Sequence, residues 1–91
     1  MSDVTAELEI VNNRGLHARA SAKFCALASA FQSRIDVSKD GITVGARSLQ
    51  ALLMLGAGKG STILLEAQGD DAREAVDALS QLVADKFGEE A

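Results

Sequence analysis

The sequence predicts an α+β fold in which one sheet buries a single face beneath helices. Three observations carry that expectation. Four short stretches read as strands: one alternates apolar and polar residues, two flank an Asp-Gly turn, and one follows a glycine-rich break. Three others repeat apolar residues every three or four positions, as helices with one buried face do. The order is strand, helix, strand, strand, helix, strand, helix, and no linker, repeat or low-complexity tract interrupts it.

Each element has its own signal. Val4, Ala6, Leu8 and Ile10 alternate with Thr5, Glu7 and Glu9, which gives the first strand. The run Asn12-Asn13-Arg14-Gly15 reads as a loop. From Ala18 onward, Ala20, Phe24, Leu27, Ala28 and Phe31 form one apolar helical face. Ile35 and Val37, then Ile42 and Val44, flank Ser38-Lys39-Asp40-Gly41, and Asp-Gly between β-like runs is a hairpin signal. Ser48 is placed to cap a short helix over Leu49 to Leu55. A glycine-rich break follows, and Thr62 to Ala67 reads as the fourth strand. Asp71 with Glu74 three residues on suggests a capping box. The helix behind it would bury Ala72, Ala75, Val76, Leu79, Leu82, Val83 and Phe87, with Gly88 as its stop.

Composition narrows the classes of function. Ninety-one residues are expected to form one domain over 1–91, with a modest core. Three Phe and no Trp or Tyr weaken a nucleic-acid or carbohydrate platform, and a net charge of −4 argues against nonspecific nucleic-acid binding. One Cys makes no internal disulfide, and with one His it assembles no zinc site, so no cofactor is expected. Nothing at the N-terminus has the form of a signal peptide, and the longest apolar run is too short to span a bilayer. A soluble, cytoplasmic protein without membrane insertion is the expectation. The charge distribution says more. From Ile10 to Ile35 there is no carboxylate, while Arg14, Arg19, Lys23 and Arg34 fall there. From Glu66 to the end there are eight Asp and Glu against Arg73 and Lys86.

The only histidine, His17, sits in that cationic half, at the expected mouth of the first helix. The first backbone N–H groups of a helix lack intrahelical partners and carry the positive end of its dipole. An anion there gains about 0.3–1 kcal/mol from the dipole alone. Arg19 could close a bidentate clamp on a phosphate. A neutral imidazole is a good nucleophile, and nearby cations disfavour its protonated form. The layout suits a phosphoryl acceptor, and the lack of local carboxylates fits an incoming dianion. The plainer alternative, a histidine that merely caps the helix or lies on the surface, stays open on these arguments.

Two motifs carry a resemblance. Gly15-Leu16-His17-Ala18-Arg19-Ala20-Ser21-Ala22-Lys23-Phe24, followed about thirty residues later by Arg47-Ser48-Leu49-Gln50-Ala51-Leu52-Leu53-Met54-Leu55-Gly56, resembles the HPr family of histidine-containing phosphocarriers of the bacterial phosphotransferase system. The similarity spans essentially the whole chain. It implies an open-faced β-sandwich: a four-stranded antiparallel sheet with three helices on one face. It also implies a relay in which enzyme I phosphorylates the histidine on Nδ1 and enzyme IIA-type proteins receive the group. Carried over, His17 is the acceptor, Arg19 its electrostatic partner, and Ser48 the serine that a dedicated kinase phosphorylates in some bacteria. The carrier would be consumed and regenerated each turn, so it is not itself an enzyme, and it is expected to be a monomer. Family members usually have Pro directly after the motif arginine, where this chain has Ala20 and no proline anywhere. Losing that restriction should cost at most about 0.4–1 kcal/mol, a matter of local rigidity more than of chemistry. The segment from Leu49 to Gly60 leans toward the nitrogen-related branch, often called NPr, which is thought to regulate rather than import sugar.

The remaining features have competing readings. Leu49, Leu53 and Met54 are more apolar than a short half-exposed helix needs; core packing explains Leu52 and Leu55. The others, with Ala22, read as a docking patch beside His17, rimmed by Arg19, Lys23 and Arg47. Ser48 needs no role beyond N-cap, yet a phosphate there would set a dianion in that patch. The run Gly56 to Thr62 is not a nucleotide-binding loop, because Gly60 follows Lys59 where Ser or Thr is required. Cys25 reads as a small hydrophobe, and the acidic C-terminal helix as a solvated face. Two rivals remain to the carrier: a regulatory binding module acting through partner contacts, and a small hydrolase using His17 as base. The latter lacks a Ser, Cys or carboxylate placed in sequence to complete it.

Overall fold

A computed structural model describes residues 3–91, so the first two residues of the expected domain lie outside the described residues. The strands are β1 (Asp3–Glu9), β2 (Arg34–Lys39), β3 (Ile42–Gly45) and β4 (Thr62–Gln68), and the helices α1 (Ala18–Ala28), α2 (Leu49–Met54) and α3 (Ala72–Ala84). The four strands form one sheet in the order β1-β4-β2-β3, with every pairing antiparallel. The open-faced α+β sandwich follows from which side chains each strand turns inward. Val4, Ile35, Val37, Ile63, Leu65 and Ala67 are buried under the helices, while Thr5, Glu7, Glu9 and Gln68 face outward. The Asp40-Gly41 turn has φ of 51° and 83°, the left-handed pair that matches the twist of a two-residue hairpin.

The helices close the core from one side. Ala20, Phe24 and Ala28 of α1, Leu52 of α2, and Ala72, Ala75, Val76, Leu79 and Val83 of α3 join one apolar cluster with the sheet. Burying a side chain the size of Phe24 or Leu79 contributes about 1.5–3 kcal/mol. The long helix α3 lies against β1 and β4, and α2 packs against α1 and β3.

Three local expectations are corrected. α1 ends at Ala28, so Phe31 lies beyond it, half-buried, where the Arg47 guanidinium binds its carbonyl. Asp71 precedes α3 but makes no capping bond. Its carboxylate instead accepts from the Ser33 hydroxyl and from the backbone N–H groups of Gln32 (2.8 Å) and Ser33 (2.9 Å), tying the entrance of β2 to α3. Those donors, the Ser33 hydroxyl first and Gln32 next, hold the Asp71 carboxyl below the usual carboxylate range against a smaller desolvation effect. Gly88 does not end α3 either. The helix stops at Ala84, and Lys86 and Phe87 then take positive φ (58° and 55°), which turns Phe87 into the core.

Candidate functional site around His17

The loop before α1 is gripped by the glycine-rich run after α2. Gly15 has φ +66°, and a Cβ there would come within 2.5 Å of the Ala57 carbonyl oxygen and 2.7 Å of Gly58 Cα. Only glycine permits both that conformation and that approach. The Leu16 N–H donates to Ala57 O at 2.8 Å, Gly60 N–H to Ile10 O at 2.8 Å, and Lys59 Nζ to Asn13 Oδ1 at 2.9 Å. The glycine-rich run is thus a clamp on the histidine loop. Ser21, fully buried, donates its hydroxyl to Leu16 O at 2.9 Å from inside the helix. His17 itself is the N-cap residue, extended (φ −73°, ψ −176°), and its carbonyl accepts the first intrahelical bond from Ser21 N–H at 2.8 Å. The amides of Ala18, Arg19 and Ala20 therefore have no partner within the helix. The imidazole does not cap them.

The chain's last residues complete the surroundings. The His17 Nε2 atom contacts the carboxylate of Glu89, both side chains being largely shielded (16% and 20% exposed). The other Glu89 oxygen accepts from Asn12 Nδ2 at 3.0 Å, and the same nitrogen donates to Gly15 O at 2.9 Å. The Asn12 amide first, and His17 second, hold the Glu89 carboxyl below the usual carboxylate range; the charges of His17 and Arg14 add to this and partial burial opposes it. The expectation of a histidine without carboxylates around it is corrected here. It holds in sequence, but the positive-φ turn at Lys86 and Phe87 brings back an acid 72 positions away.

The other expected site residues fall in three groups. Arg19 is exposed on the first turn of α1 and makes no hydrogen bond or ion pair among the described residues. Lys23 and Arg47, expected at the rim of the docking patch, are exposed and also bind backbone carbonyls: Lys23 Nζ donates to Phe87 O at 2.7 Å, and Arg47 Nη2 to Ser33 O at 2.9 Å and to Phe31 O. Ala22 on α1 and Leu49, Leu53 and Met54 on the adjacent α2 are exposed, Met54 by 77%, while Leu52 and Leu55 are buried. Ser48 caps α2, accepting from Ala51 N–H at 3.3 Å, and is open to solvent. Cys25 is half-buried and its thiol donates to the Arg47 carbonyl at 3.2 Å.

The family model described as the PTS HPr component phosphorylation site matches residues 4–85. The chain belongs to the HPr family. An HPr phosphocarrier of Cupriavidus necator is 51% identical over 80 residues, covering 88% of this chain and 90% of that one. An NPr phosphocarrier of Shewanella violacea is 42% identical over 89 residues, covering 98% of both. The crystal structure of HPr-C-His from Thermoanaerobacter tengcongensis superimposes with a TM-score of 0.90 at 46% identity, over the whole of both chains. In this member of the family α1 starts at Ala18, and Ala20, where the resemblance leads one to expect proline, is the third helical residue and fully buried. Asn12 and Glu89 were not legible as site residues. Neither lies in the HPr motif stretches, and their meeting depends on the turn around Phe87, whose only sequence signal is an apolar residue beside a glycine in a polar tail.

Proposed function

We propose that His17 carries the phosphoryl group of this HPr, accepting it at Nδ1 from phosphorylated enzyme I and passing it to enzyme IIA-type acceptors. The observation that supports this most is the state of the ring: Nε2 is engaged by Glu89, whereas Nδ1 has no hydrogen-bond partner among the described residues. In transfer, the Nδ1 lone pair attacks phosphorus, the bond from phosphorus to the donor breaks, and its electron pair stays with the donor. The amides of Ala18 and Arg19, on exposed residues, and the Arg19 guanidinium, unpaired among the described residues, are the groups available to the new phosphate. Charge-assisted bonds of that kind contribute about 1.5–3 kcal/mol each. The exposed residues Ala22, Leu49, Leu53 and Met54 supply a shallow apolar surface on which successive partners dock. Ser48, capping α2 in that surface, is where a serine kinase would regulate docking. The carrier works as a monomeric, cytoplasmic single domain.

Incubation with enzyme I and phosphoenolpyruvate tests the proposal. One acid-labile, alkali-stable phosphate per chain is expected in the wild type and none in His17→Ala, whose melting temperature stays close to that of the parent. A His17→Ala protein that still takes up phosphate, or that no longer folds, overturns the assignment.

A further inference from the structure

We propose that Glu89 is a positioning residue for phosphoryl transfer, accepting the Nε2–H of His17 and so holding the imidazole in the tautomer whose lone pair lies on Nδ1. The inference rests on the reading that His17 is the acceptor, and deepens it by naming what prepares the ring.

The argument runs along a chain of directed hydrogen bonds. Asn12 is fully buried, and its Nδ2 faces two groups, the Gly15 carbonyl at 2.9 Å and Glu89 Oε1 at 3.0 Å. A carbonyl and a carboxylate only accept, so the amide must present its NH₂ to both. Its Oδ1 is left buried without a partner among the described residues. That orphan is a cost the opposite amide orientation would not lower, since it would set oxygen against two oxygens. Asn12 is therefore a fixed donor to Glu89. The Glu89 carboxyl is held ionised by Asn12 and His17 at neutral pH, and an ionised carboxylate offers the ring only acceptors. The ring atom it meets, Nε2, must carry a proton, which in the neutral ring leaves Nδ1 as the nucleophile.

The tail that delivers Glu89 is built, not draped. Lys86, Phe87 and Gly88 all take positive φ (58°, 55° and 82°), the first two against the preference of residues with a Cβ. Phe87 is buried and its carbonyl takes the Lys23 ammonium at 2.7 Å, while the Ala91 carbonyl accepts from Asn13 N–H at 2.8 Å. Glu89 is thus pinned on both sides. Once phosphorus is on Nδ1, the ring keeps its Nε2 proton and becomes cationic, and the carboxylate lies against that new charge. The same pairing serves before and after transfer.

Glu89→Gln separates this role from simple packing. To satisfy Asn12, glutamine must turn its oxygen to Asn12 and its NH₂ to His17. That forces the proton to Nδ1, the unreactive tautomer. Glu89→Ala only releases the ring to sample both. Expected for the unphosphorylated wild type is a ¹⁵N ring spectrum with Nε2 protonated and Nδ1 bare. Glu89→Gln should show a shifted or inverted tautomer and phosphorylation by enzyme I slowed by about tenfold, the low end of the loss when the hydrogen-bond partner of a metal-ligating imidazole is removed. Glu89→Ala should fall between the two. A wild-type ring protonated on Nδ1 overturns the inference, and that measurement needs no variant. So does a Glu89→Gln protein with wild-type transfer rate. Absence of any phosphoadduct on the wild type would instead sink the acceptor reading itself, whatever the ring spectrum shows.

Discussion

Replacing Gly15 by alanine strikes the contact that sets His17 in place. The new Cβ would stand 2.5 Å from the Ala57 carbonyl oxygen, with the backbone still required at φ +66°. The left-handed conformation costs a residue with a Cβ about 1–2 kcal/mol. The overlap is with backbone, so the two loops must separate, which strains the 2.8 Å bond from Leu16 N–H to Ala57 O. Losing it costs about 0.5–1.5 kcal/mol. Against this, alanine restricts the unfolded chain and returns about 0.4–1 kcal/mol. The net loss is about 0.5–3 kcal/mol, which a domain of this size survives. It corresponds to a melting temperature lower by roughly 2–24 °C, at about 4–8 °C per kcal/mol. Thermal and urea unfolding followed by circular dichroism measure it. Transfer from enzyme I, assayed on the folded variant, should also slow, because the same separation moves the start of α1. A loss below about 0.5 kcal/mol with transfer unchanged would refute the idea that this close approach holds the loop.

Two further outcomes follow from the same geometry. Ser48→Ala should cost about 0.5–1 kcal/mol, the low end for a cap, since its bond to Ala51 N–H is 3.3 Å long; Ser48→Asp should keep the fold while slowing transfer from enzyme I, and an unchanged rate would remove Ser48 from the docking surface. Glu89 and Asp71 both have carboxyls held low in the folded chain, so their stabilisation is complete above the unfolded carboxylate pKa of about 4 and is lost as pH falls through the lower folded values. The urea midpoint should therefore be flat from neutral pH to about pH 5 and drop below about pH 4, less steeply in Asp71→Asn combined with Glu89→Gln; equal slopes would show that neither carboxylate is favoured by folding.

Much of the fold was legible because its signals are local. The alternation from Val4 to Ile10, the three- and four-residue spacing of Ala20, Phe24 and Ala28, and the Asp40-Gly41 turn each state an element within a few residues. Apart from the two helix ends, what the sequence did not show concerns groups whose partner lies elsewhere in the chain. Asp71 stands where a capping residue belongs, but the N–H groups of Gln32 and Ser33 are stronger claimants for its carboxylate. That Arg47 and Lys23 also bind the carbonyls of Ser33 and Phe87 has no signal near them in sequence. Glu89 lies beyond the last helix, and nothing near it in sequence says what it touches.

The sequence by itself determined the order of elements, the buried faces, and the histidine at a helix mouth with arginine two residues on. Periodicity, turn chemistry and helix termini are properties of short segments, so they survive without knowledge of the rest. Only the tertiary structure decided that Asn12 meets Glu89 and Glu89 the imidazole, and that the glycine-rich run clamps the loop beneath it. Those contacts join residues 77, 72 and about 40 positions apart. Which hydrogen-bond donors and acceptors face each other over such separations is set by how the core packs, and no local pattern encodes it.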